Sequence, residues 1–132
     1  MSLITEVKTR VMKYPSLSVS EVEHGIIIHT PDQEKGFNIS LFVDSAEDYT
    51  AYTVAFGNWH GHFDTEEEAG TFVAMGLTNQ CRLREISWGS KPSKWVVESL
   101  KNGKWVMEQT TGSLFFPFWK KRSEKVLQNS VL

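Results

Sequence analysis

One cysteine, Cys81, is all that the 132 residues contain, so no internal disulfide can form and nothing asks for an oxidising compartment. Long apolar runs are missing too. The longest cluster, Leu114-Phe115-Phe116-Pro117-Phe118-Trp119, falls far short of the ~18 apolar residues of a spanning helix and runs into Lys120, Lys121 and Arg122. Glu6 interrupts the apolar residues near the N-terminus, and no signal peptide is expected. Positive charge is not in excess: Lys+Arg 14 stand against Asp+Glu 16, a net charge of -2, which gives no footprint for nucleic acid. No Gly/Ser-rich or Pro-rich linker divides the chain. These absences lead to the expectation of one soluble cytoplasmic domain over residues 1–132, with neither membrane nor nucleic acid as partner.

What is present is enough apolar sequence for one core, with 40% hydrophobic residues. Leu3, Ile4, Val7, Val11 and Met12 recur at helical spacing until Pro15 stops the pattern. Ile26-Ile27-Ile28 reads as a strand with its turn at 31–36. Phe37, Ile39, Leu41 and Val43 then alternate with polar neighbours as one apolar strand face, and Tyr49 to Phe56 supplies a third strand. The run Asp64-Thr65-Glu66-Glu67-Glu68 offers Asp64 or Thr65 as N-cap with an acid three residues on, and its helix continues through Leu77. Strands around Arg82 to Trp88, Ser93 to Ser99 and Lys104 to Thr110 follow. The fold class expected is α+β: an antiparallel sheet of about six strands with two helices, in the order α-β-β-β-α-β-β-β plus an aromatic C-terminal segment. The repeated element order leaves open a duplicated unit or a common helix-plus-meander pattern.

The last hairpin can close in two ways. A two-residue loop at Asn102-Gly103 mixes charge with core on both faces. A three-residue loop, Lys101-Asn102-Gly103, pairs Ser99 with Trp105 and Val97 with Met107. The second register is expected, because it gathers Trp95, Val97, Trp105 and Met107 on one buried face and leaves Glu98, Lys104 and Glu108 on the exposed one.

Charge is unevenly spread. Up to Ala69 there are 4 basic and 12 acidic residues; from Gly70 onward there are 10 and 4. Either the second half shows a basic surface to an anionic ligand or partner, or the two halves lie together and neutralise each other.

Sites with chemistry are few. His60, His62 and Asp64 fall on one side of an extended chain and are weak candidates for holding a divalent metal; otherwise the two histidines are exposed residues at a strand end. Cys81 near a helix C-terminus faces the wrong end of the dipole for a thiolate and reads as a packing residue. The stretch Gly61-His62-Phe63-Asp64-Thr65-Glu66-Glu67-Glu68-Ala69 resembles, over about nine residues that are mainly a capping motif, the last-strand-to-helix join of a class of plant DNA-binding domains. That class contacts its duplex through arginines along the sheet. Here residues 25–56 contain only Lys35, so the resemblance brings no nucleic-acid partner with it.

Five tryptophans and eight phenylalanines exceed what a small core strictly needs. Trp95, Trp105, Phe115, Phe116, Phe118 and Trp119 are the candidate ligand or interface residues, since large aromatics favour interface centres and pockets. No cofactor and no resident metal is expected. The reading that follows is a small non-catalytic binding or assembly module with an aromatic-lined sheet face, forming a homodimer or taking a small-molecule or protein ligand. The rivals are a small enzyme with a pocket between sheet and helices, and an acidic inhibitor or toxin-neutralising protein.

Overall fold

A computed structural model describes residues 2–32, 34–46, 48–89, 91–112 and 121–131, the side chains of 91, 93 and 110–112 excepted. The chain runs α1 (Leu3–Val11), β1 (Ser18–Val22), β2 (Gly25–His29), β3 (Ile39–Ser45), β4 (Thr50–Phe56), β5 (Trp59–Phe63), α2 (Glu66–Gly76), β6 (Cys81–Trp88), β7 (Lys91–Lys101), β8 (Lys104–Gly112) and β9 (Arg122–Leu127). It is an α+β fold with two antiparallel sheets, β1-β2-β3-β4-β5 and β8-β7-β6-β9. Each sheet has more strands than the sequence pattern shows, because β1, β5 and β9 are short and largely polar or broken by glycine. The two halves are not copies: the first helix precedes a five-strand meander, the second a four-strand sheet closed by the C-terminal strand.

Both helices start where the side chains cap them. Ser2 Oγ accepts from Thr5 N at 3.2 Å, and Thr65 Oγ1 accepts from Glu68 N at 3.1 Å, so Thr65 is the cap of α2 and Asp64 is not. Leu3, Val7 and Val11 of α1, and Ala69, Val73 and Gly76 of α2, turn inward. They meet one face of the five-stranded sheet, built from Ile26, Ile28, Ile39, Leu41, Val54, Phe56, Trp59 and Phe63. Gly76 permits this contact, since a Cβ there would lie 2.6 Å from Phe56 Cζ. Trp59 is wholly buried between Phe56 and Phe72, and among the described residues its indole N–H has no hydrogen-bond partner. Ring packing has to outweigh that donor's loss of water, about 1–3 kcal/mol.

The same core takes in Cys81, Leu83, Val97 and Leu127 from the inner face of the four-stranded sheet, with Trp95 packed against it. Trp95 Nε1 donates to Glu85 Oε2 at 3.1 Å. The β7–β8 hairpin departs from the expected register. Lys101 pairs with Lys104 across a two-residue turn in which Asn102 and Gly103 both have positive φ, 52° and 77°. Both residue types tolerate that left-handed backbone, which matches the twist of the flanking strands. Leu100 then faces Trp105 and Glu98 faces Met107, and an irregularity beyond Glu98 inserts Glu108 so that Val97 pairs with Gln109.

The expected grouping therefore splits. Trp95 and Val97 lie on the inner face, whereas Trp105 and Met107 lie on the outer face beside Glu98. Glu98 is buried, at 7% exposure, and Glu108 is half-buried; neither is the exposed acid of the expected register. The bulge removes half of the conflict that favoured the longer loop, because one extra residue changes the side-chain phase of β8: Val97 no longer faces Glu108, while Glu98 still faces Met107.

Candidate functional site

The outer face of the four-stranded sheet is built on the period of two. Arg82 and Arg84 of β6 alternate with inward Leu83, and Glu98 of β7 is the direct neighbour of Arg82. Glu98 Oε1 accepts from Arg82 Nε at 2.7 Å and its Oε2 accepts from an Arg84 terminal amino group at 3.2 Å. The other Arg84 terminal group donates to Glu124 of β9, which also lies 3.5 Å from Arg122. Charge alternates along the line Arg82, Glu98, Arg84, Glu124, Arg122, three cations against two anions. The hydrogen bond to Glu124, then the charge of Glu98, holds the Arg84 guanidinium above the ordinary arginine range.

Aromatic rings cover both ends of this line. The Arg82 guanidinium carbon lies 4.2 Å from the Trp105 ring centroid and that of Arg122 lies 5.9 Å from Trp88. Beside Trp105, Met107 is 61% exposed. Ile86 and Val96, further along the same face, are buried. Of the six sequence candidates, Trp105 is on this surface and Trp95 is in the inner packing; Phe115, Phe116, Phe118 and Trp119 lie outside the described residues. Arg82, Arg84, Glu98, Met107 and Glu124 were not among them. Two arginines one residue apart in a strand, with Leu83 between, signal a charged face, but only the strand pairing shows which carboxylates answer them.

His60 and His62 are exposed on the outer face of the five-stranded sheet, with ring centroids 5.6 Å apart. His62 Nδ1 is 3.1 Å from Thr53 Oγ1. Asp64 is exposed beyond them, and among the described residues no three His, Cys, Asp or Glu side chains converge as a metal site would need. A groove of about 600 Å³ runs between α1 and α2, with Val7, Val11, Val73 and Leu77 among its walls and Glu66 and Glu67 at its edge. The histidines take no part in it, since their strand turns Trp59, Gly61 and Phe63 toward the helices.

Cys81 is fully buried, and burial, then the charge of Glu108, pushes its thiol up to about 12. Glu108 itself is held below the usual carboxylate range by hydrogen bonds from Ser99 and Lys101. A thiol in this state is not a nucleophile at neutral pH. A disulfide reagent at pH 7 is expected to leave the folded chain unlabelled and to label its one thiol in denaturant. Rapid labelling of the native chain would show that the start of β6 opens.

Among the described residues no helix is long and apolar enough to cross a membrane. The chain matches no family model, no curated protein and no solved structure.

Proposed function

We propose that the chain is a non-catalytic binding and assembly module that pairs with a second copy of itself through the Trp105 end of the outer face of its four-stranded sheet. The observation that carries this reading is the half-buried Trp105 and exposed Met107 beside guanidinium groups fixed by a buried carboxylate. Tryptophan and arginine dominate interface energetics, and methionine adapts to the opposing surface. Alternating charge suits self-pairing: a two-fold axis between Arg82 and Glu98 can set each of these two against its opposite in the other copy. The inert Cys81 and the outward histidines support binding over catalysis.

Met107→Lys tests the reading with little risk to the fold, because the new ammonium can pair with neighbouring Glu98 while repelling its symmetry mate. Light scattering should give a dimer mass for the wild type and a monomer mass for Met107→Lys, which should still unfold cooperatively and match the wild-type melting temperature only at dilutions where the wild type is also monomeric. A wild-type monomer at every concentration would contradict it.

A further inference from the structure

Arg82 is held at one edge and open at the other. Its Nε is occupied by Glu98 and its guanidinium carbon lies over Trp105, yet among the described residues neither terminal amino group has a hydrogen-bond partner. Arg84, two residues on, spends both terminal groups on Glu98 and Glu124. The Arg82 side chain keeps 25% of its surface in solvent; Trp105 lies against it, and on the same face Leu100 is diagonal to it and Met107 lies beyond Glu98 on the next strand. A planar fork of two N–H groups, immobilised in advance, matches the two oxygens of a carboxylate, and the ring and thioether beside it suit an apolar body attached to that carboxylate.

We infer that Arg82 is a carboxylate receptor, taking the two oxygens of a carboxylate on its terminal amino groups while the rest of the ligand lies on Trp105 and Met107. The inference rests on the outer face being the recognition surface, and it adds the chemical group recognised. Three features separate Arg82 from the other cations here: Glu98 orients it without consuming its fork, Trp105 supports its plane, and Met107 gives an apolar neighbour. Arg122 is paired with Glu124 at 3.5 Å and has a longer ring contact, with Trp88.

Benzoate is the probe, titrated at constant ionic strength into the wild-type chain, diluted until light scattering gives the monomer mass so that Arg82 is uncovered. The Arg82 Nε–H is shielded from exchange by its bond to Glu98, so its nitrogen–proton NMR signal reports the site directly. A saturable shift of that signal and of the Trp105 indole N–H is expected in the dilute wild-type chain. Arg82→Lys should weaken binding about tenfold or more, the loss of a charge-assisted hydrogen-bond pair, with native dispersion of the other signals. An N-acetylated peptide containing one glutamate should compete with benzoate, whereas inorganic phosphate should bind much more weakly.

No saturable shift at Arg82, equal shifts at Arg82, Arg84 and Arg122, or phosphate binding as well as benzoate would each overturn the inference. Light scattering separates the two claims. A dimer that forms while Arg82 ignores benzoate removes the receptor and keeps the interface; benzoate bound at Arg82 of a chain that stays monomeric keeps the receptor and removes the self-pairing.

Discussion

Asn129→Ala should lower stability by about 3 kcal/mol and the melting temperature by about 10 °C. Asn129 is buried, with its Oδ1 accepting from Phe37 N at 3.1 Å and its Nδ2 donating to Phe37 O and Gly76 O, each at 3.0 Å. One side chain thus joins the residues after β9 to the loop before β3 and to the end of α2. Alanine would strand a buried N–H and a helix-terminal carbonyl, while Phe37 O would keep its bond from Thr30 Oγ1. The backbone bonds Gln128 N to Lys35 O and Val131 N to Leu77 O flank the clamp, so the loss should be read as stability and not as a detached terminus. Denaturant titration at unchanged slope would measure it. A loss below about 1 kcal/mol would show that the flanking bonds hold the segment alone.

Glu98→Ala is expected to have a comparable effect, about 3 kcal/mol, the low end for breaking a buried ion pair because the two arginines keep roughly a quarter of their surface in solvent. The carboxylate answers two guanidinium groups, so its removal leaves Arg82 and Arg84 side by side along β6 with no carboxylate between them. Replacing Arg82, Glu98 and Arg84 together by leucine should return most of the loss, since an apolar cluster needs no compensation for charge removed from water. Added salt should change the wild-type stability little, because the pair is screened only where water reaches it. If Glu98→Ala folds within about 0.5 kcal/mol of wild type, the network is decorative and the outer face has no fixed shape to recognise anything.

The first helix was legible from its apolar spacing up to Pro15, and the second from the capping run at Asp64 to Glu68. The apolar face of β3 was legible as the period-two pattern that one buried face imposes, and β4 from its aromatic and β-branched residues. Local pattern could not reveal the bulge at Glu108, because a bulge is a relation between two strands and leaves no periodic mark on either. That one residue decides which side of the sheet Trp105 occupies, and with it whether the aromatic face is core or surface. The charged line is also a product of pairing: Glu98 and Glu124 reach Arg84 from strands 14 and 40 residues away in sequence. The basic excess of the second half is in part this network, where carboxylates consume much of the charge that the composition shows.

The most direct test of the central claim is a map of backbone amide signals across a dilution series of the wild-type chain. Self-pairing through the outer face predicts concentration-dependent shifts centred on Arg82, Glu98, Leu100, Trp105 and Met107, which Met107→Lys abolishes. Shifts centred on the groove between α1 and α2 or on His60 and His62, or no change with concentration, would contradict it.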